Sequence, residues 1–405
     1  MKPAKNRELA NEAFEAGEYR KALGFAEKAL ARDPYNIEAL NVAAMACTEL
    51  GEYQKAVVLY EQALIVQGET AEVYHNIGLL HANMGDHRGA VKIYREALAL
   101  DQGSAEIYVS LANSLGETGQ VEAAPAAYDE ALRIQPGLKD CLFNKGATLN
   151  KAGRFQEAAE IFRGLMESSP DDPAIYEARA FSLGSLGRHE EALSLYQKAA
   201  SLNPGSPMLC YNMALSLEGL GRGEEALAAL DGALEADPEF HAAALEKANL
   251  LGDLGRDEEA LAIYDKEAEL APDDLSVFFN RGISLARTGR LDDALRDFGR
   301  VLSADPGNAD ALNNKGSVLL SLGRPEEALA CFEKILAADR RNAMALYNKA
   351  CALARMGDAK GAADALKRAG QSDRRAYRAA LEDADFDAVR EDPRFLAVFQ
   401  KDGSP

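Results

Sequence analysis

Apolar residues recur along the chain at i, i+3 and i+4 in short runs of helical period, separated by polar and glycine-containing stretches. The runs come in pairs. Residues 309–322 and 325–337, for example, carry this spacing on either side of Gly323, which predicts two helices joined by a tight turn. Glycine falls at 17, 51, 85, 119, 153, 187, 221, 255, 289, 323 and 357, each 34 residues after the last, and alanine follows in step from Ala22 to Ala362. From Pro3, eleven units of 34 residues run to Ala376, with two residues before and twenty-nine after. A fixed period of this length predicts a solenoid of helical hairpins, in place of the two or three domains that 405 residues would otherwise suggest.

Each recurring residue has a physical reason. The glycine follows the last apolar residue of the first helix, where a left-handed backbone ends the helix without a Cβ penalty. The alanine lies in the first turns of the second helix, where a small side chain lets two helices approach. Position 8 of the unit is always Ala or Gly, from Ala10 to Ala350, and marks another close contact. An aromatic or bulky apolar residue stands four after the alanine in every unit except the first, which has Ala26. Proline ends seven units, at 34, 136, 170, 204, 238, 272 and 306, where it stops the second helix.

This pattern resembles the tetratricopeptide repeat, a 34-residue helix-turn-helix unit with a small eighth residue, alanine at 20, an aromatic at 24 and proline at 32. The resemblance covers nearly the whole chain and implies an all-α, right-handed α-solenoid superhelix over residues 3–376. Gly68, Gln102, Arg340 and Arg374 replace the proline in four units, and Glu267 replaces the small residue at position 27, which puts local packing in question. Pro125 falls in the first turns of a second helix, where a missing N–H is tolerated.

An array of this kind exposes an apolar face at each end. Residues 377–405 are expected to cap one of them, through a helix over 377–390 that presents Leu381, Phe386 and Val389, and a short apolar turn over 394–399. These segments resemble the Asp-Phe and Asp-Pro-x-Phe endings of other tetratricopeptide arrays. Residues 400–405 are expected to fray.

Charge then narrows the partners. Lys+Arg 45 against Asp+Glu 65 gives −20, which disfavours nucleic acid and anionic membranes. Residues 340–378 oppose the trend, with ten basic and three acidic residues, +7 against −27 for the rest. Arg374, Arg375 and Arg378 there either meet an acidic partner or keep the last hairpin soluble. The first residues lack the apolar run of a signal peptide, and no stretch is apolar enough to span a membrane, so a cytoplasmic location is expected. Five cysteines without a C-x-x-C pair suggest neither disulfides nor zinc, and read as small buried residues.

Catalytic motifs are absent: no phosphate loop, no nucleophile elbow, no H-E-x-x-H helix. Gly219, Gly221 and Gly223 form a glycine string inside a hairpin turn, and His75, His81 and His87 are spaced by six, off a common helical face. No enzyme, cofactor or metal is expected.

What remains is surface. The resemblance implies that positions 2, 5, 6, 9, 12 and 13 face a concave groove. Position 5 carries a ring followed by asparagine in alternate units: His75 and Asn76, Phe143 and Asn144, Tyr211 and Asn212, Phe279 and Asn280, Tyr347 and Asn348. This 68-residue period admits two readings. One is a ladder of rings and amides that hold a peptide; the other is packing, with duplication of a two-hairpin segment. Glu38, Glu72, Glu106 and Asp140 at position 2 form an acidic rail for a basic partner or complement the helix dipole. Position 7 is basic at Lys145, Arg179, Lys247, Arg281, Lys315 and Lys349, with charges that can reach the groove. The family's clamp for chaperone carboxylates is not reproduced: Arg7 and Asn11 approximate its first pair, whereas Val42, Glu72 and Asn76 do not fit the rest.

The expected function is a non-catalytic protein-interaction scaffold with peptide or protein ligands in the groove. The alternative is a regulatory or adaptor subunit whose catalytic partner is another chain. Self-association through the solenoid ends is a further expectation.

Overall fold

The computed structural model describes residues 3–400. Among them are twenty-four α-helices, one short 3-10 helix and no strand. The first helix of every unit starts at unit position 1 and is 13 residues long, from Pro3–Glu15 to Ala343–Arg355. Asparagine, serine, threonine or aspartate before it often supplies the cap, as where Thr70, Ser104, Asn308 and Asn342 accept backbone N–H bonds. The second helix starts at position 17 in ten units. In the fourth it starts later, as Ala124–Ile134, because Pro125 fits only where its missing N–H is not needed.

The recurring glycines all adopt positive φ, between 71° and 81°. The residue after each one donates its N–H to a carbonyl five residues back, as in Arg188 to Leu183 at 2.9 Å, which closes a Schellman turn. Inside each hairpin the alanines from Ala22 to Ala362 are wholly buried. The rings four residues later face the small eighth residue of their own hairpin. A Cβ on Gly146 would lie 2.6 Å from Phe162 Cζ, and one on Gly316 would lie 2.5 Å from Phe332 Cε1. The ring fills the space that the small residue leaves.

The hairpins fall into two compact parts, Met1–Pro204 and Gly205–Pro405. Within the first, each first helix packs on the next first helix, from Pro3–Glu15 through Pro173–Ser185. Within the second, the same holds from His241–Asp253 through Ala343–Arg355. Consecutive second helices do not pack on one another in this way. First helices therefore form the shorter, inner wall of each part.

Glu267, the departure at position 27, is buried and pairs with His241 Nδ1 at 2.9 Å. The buried carboxylate thus has the partner that burial demands. At the carboxyl end the chain departs from expectation. In place of one helix over 377–390 there is Arg375–Glu382, a break, and a 3-10 turn at Ala384–Phe386. The break is Asp383, extended at φ −76° and ψ 122°, whose side chain accepts the Asp385 N–H. Phe386 and Val389 are buried against the last hairpin as expected, but Leu381 is half exposed and Ala380 takes the inward position. A one-residue offset on a helix turns a side chain by about 100°, enough to exchange the two. Helix Pro393–Gln400 then adds Phe395 and Val398 to the same core. Residues 401–405 of the tail expected to fray lie outside the described part.

Candidate interaction groove

The inner walls of the two parts hold the ring and amide residues picked out by sequence, and most of these meet other groups of the chain. His75 is buried, 5.8 Å from the Tyr94 ring, with Nε2 3.0 Å from Ser110 Oγ. Burial holds its imidazole below the usual value, so it is neutral at pH 7. Phe143 and Phe279 are half-buried and meet the edges of Phe162 and Phe298 at 5.5 and 6.1 Å. In the units with leucine at position 24 the ring turns elsewhere: Tyr211 to Phe240 at 5.4 Å, and Tyr347 to Phe386 at 5.8 Å. Phe143, Tyr211, Phe279 and Tyr347 are half-buried and leave part of their surface to the wall, whereas His75 does not.

The amides follow a rule that the column of asparagines alone does not reveal. Asn144 and Asn280 donate backward to Asn113 Oδ1 and Asn249 Oδ1, at 3.4 and 2.8 Å, and these two residues sit at position 9 of the preceding unit. Tyr128 and Tyr264 donate their hydroxyls to the same oxygens, at 2.5 and 2.6 Å. Asn348 reaches Asn313, at position 5, at 2.7 Å. Asn76 is buried and Asn212 half-buried.

Two cavities result, of 250 and 240 Å³. Their lining positions coincide 136 residues apart: Asn113, Glu117, Tyr128, Asn144 and Lys151 in one match Asn249, Asp253, Tyr264, Asn280 and Arg287 in the other. In the first, Lys151 pairs with Glu117 at 3.0 Å; in the second, Arg287 donates to the Gly252 carbonyl at 2.8 Å. Asn113, Glu117, Lys151 and their counterparts were not singled out by sequence, and Tyr128 and Tyr264 only as members of the aromatic column four after the alanine. Their signal is the joint recurrence of Asn at 9, Tyr at 24 and Asn at 6 of the next unit, which occurs twice.

The charged residues divide. Glu38 pairs across the wall with Arg7 at 2.8 Å and accepts from Asn11 at 2.6 Å, while Glu72 and Glu106 are exposed. Lys145, Arg281 and Lys349 instead pair with Asp129, Asp265 and Glu333, at position 25 of the preceding second helix, and Arg281 also holds buried Asp297 at 2.7 Å. Three of the expected basic rim charges are thus directed to second helices, because a cation at position 7 stands beside that carboxylate. Lys315 is half-buried.

One carboxyl on the wall is held well above the usual carboxylate range. Glu246, at position 6 of the eighth unit, is pushed up to about 7 by burial and by the Glu218 carboxyl. Its folded pKa lies above the ordinary 4.5, so its contribution to stability is present at low pH and lost as pH rises through about 7. Glu246→Gln is expected to be neutral at pH 5 and, allowing for half exposure, stabilising at pH 8 by on the order of 1 kcal/mol. Urea midpoints at both pH values check this; an equal effect at the two would contradict it.

Four cysteines are buried and Cys210 is half-buried. Burial pushes the Cys47 and Cys141 thiols up to about 11, which suits packing and not nucleophilic chemistry. Cys351 sits beside Asp383 and Asp385, with ligand-type atoms within 4.8 Å of one another. Those carboxylates already receive the Tyr347 hydroxyl at 2.7 Å and the Arg355 guanidinium, so the cluster fastens the carboxyl-terminal turn to the last first helix.

A family model described as tetratricopeptide repeat matches residues 75–138, 143–207, 211–274, 279–343 and 318–388, and a second of the same description matches 35–103. The chain belongs to the tetratricopeptide repeat family. Among solved structures it is similar to a tetratricopeptide repeat protein from Parabacteroides merdae (22% identity, covering 61% of this chain and 98% of that one, TM-score 0.47). MamA from Desulfovibrio magneticus is similar over 43% of this chain and 98% of its own, at 18% identity and TM-score 0.41. The Cut9–Hcn1 hetero-tetramer of the APC/C is similar over 96% of both chains, at 14% identity and TM-score 0.46. No curated protein sequence matches the chain. Tetratricopeptide arrays are protein-interaction scaffolds, and no helix among the described residues is long and apolar enough to cross a membrane.

Proposed function

We propose that residues 3–376 form a non-catalytic scaffold whose inner wall binds a peptide segment of a partner protein, and that residues 377–405 close its end. The observation that carries this reading is the pair of matching cavities at Asn113 and Asn249. Each combines two asparagine amides, a tyrosine with its hydroxyl, one carboxylate and one cation, with Ala147 or Ile283 as an apolar wall. Such a set can hold an apolar side chain and the peptide amide next to it. The exposed Glu72 and Glu106, in the same part as the Asn113 cavity, favour a basic flank on the partner.

The test is selection of a displayed random-peptide library on the immobilised chain. Enriched peptides are expected to lose about tenfold or more in affinity for a variant carrying Asn113→Ala and Asn249→Ala, with unfolding midpoints close to those of the parent. Undiminished binding to that variant would reject the reading.

A further inference from the structure

Outside the inner wall, the last hairpin carries a cavity of 570 Å³ lined by Arg340, Arg341, Arg368, Gln371, Ser372 and Leu346. These residues stand at unit positions 32, 33, 26, 29, 30 and 4, none of which belongs to the groove. Arg340 and Arg341 replace the Pro-Gly of the preceding unit's turn, Pro306 and Gly307. Asp339 Oδ1 accepts the Arg341 N–H at 2.9 Å, Arg368 Nη2 donates to the Arg340 carbonyl at 2.9 Å, and Ser372 Oγ donates to the Arg341 carbonyl at 3.4 Å. The turn is therefore tied to the second helix, Ala359–Ser372, before any ligand arrives.

The arginines differ from most others on the surface. Elsewhere guanidiniums close on neighbouring carboxylates, as in Arg188–Glu191, Arg256–Glu259 and Arg324–Glu327. Among the described residues, none of the three cavity arginines makes an ion pair with a carboxylate. Three guanidiniums that are not ion-paired stand around one space, in a protein whose net charge is −20. A single carboxylate would neutralise one of them. A phosphate monoester brings roughly −1.5 to −2 and three acceptor oxygens, and planar guanidiniums bond such oxygens in pairs. No ring lines the cavity, so it has no surface on which a nucleobase could stack.

We propose that this cavity is a second binding site, which takes the phosphate of a phosphorylated serine or threonine on a protein partner. It does not depend on the groove reading. The test uses the full chain and four probes in titration calorimetry: acetyl-Gly-phosphoserine-Gly-amide, its serine and aspartate counterparts, and uridine 5′-monophosphate. The phosphoserine peptide is expected to bind in the roughly millimolar range or tighter, and the serine and aspartate peptides much more weakly. Arg340→Gln with Arg341→Gln is expected to weaken it about tenfold or more, whereas Asn113→Ala with Asn249→Ala leaves it unchanged. Aspartate binding as well as phosphoserine, uridine monophosphate binding more tightly, or an unchanged affinity in the arginine variant would each overturn the proposal. The comparison of probes on the parent chain decides it even where the arginine variant is poorly folded.

Discussion

Phe162→Ala is expected to destabilise the fifth hairpin by about 3–5 kcal/mol, the usual range for emptying a fully buried phenylalanine site. The ring is wholly buried. Its edge meets Phe143 at 5.5 Å, and its tip occupies the space a Cβ on Gly146 would claim. Gly146 has no side chain to move into the hole, and Leu149, Leu165 and Ile175 around it are themselves buried in the same cluster. The loss should be local, since each hairpin packs mainly on its neighbours. Hydrogen exchange is therefore the right measurement: amides of Lys139–Lys151 and Phe155–Ser168 should lose most of their protection, while those of His241–Asp253 keep theirs. Gly146→Ala should be costly alone but milder beside Phe162→Leu, because the two sites share one volume. A loss below about 1 kcal/mol, or a uniform loss along the chain, would refute this account of the packing.

The second large effect is expected at the carboxyl end. Removing residues 375–405 takes away Ala380, Phe386, Val389, Phe395 and Val398, all buried, and uncovers Cys351, Leu366 and Ala369 on the last hairpin. Asp383 and Asp385 go with them, which frees Tyr347 and Arg355. An apolar hairpin face open to water seeks another surface. The truncated chain should sediment as concentration-dependent species larger than the parent, and the amides of Ala359–Ser372 should exchange much faster. Phe386→Asp in the full chain should shift exchange in the same direction, which separates loss of the buried ring from loss of length. Identical sedimentation and exchange before and after truncation would show that these residues do not cover the end.

The hairpins were legible in the sequence because their determinants are local. A left-handed glycine, an alanine five residues on and a ring four further are read from single columns, and helix starts at positions 1 and 17 follow from them. Pro125 delays one helix, and here too the cause lies within the residue. The groove was less legible because its geometry joins different columns in successive units. Asn113 matters through Asn144, thirty-one residues away, and Tyr128, fifteen away. A search down one column finds Asn144 and passes over its acceptor. The basic residues at position 7 show the same limit, since Lys145, Arg281 and Lys349 are aimed by carboxylates in the preceding hairpin. Leu381 was misplaced because Asp383 ends its helix through a side-chain bond, which hydrophobic spacing does not record.

The same locality bears on how the chain is made. A Schellman turn closes inside its own unit, and side-chain links between units stay short, such as His75 to Ser110 at thirty-five residues and Tyr347 to Asp383 at thirty-six. Each hairpin can therefore settle once the next has left the ribosome, with no strand waiting for a distant partner. Translation would lay the array down in order, and the residues that cover its last face would follow the hairpin they cover.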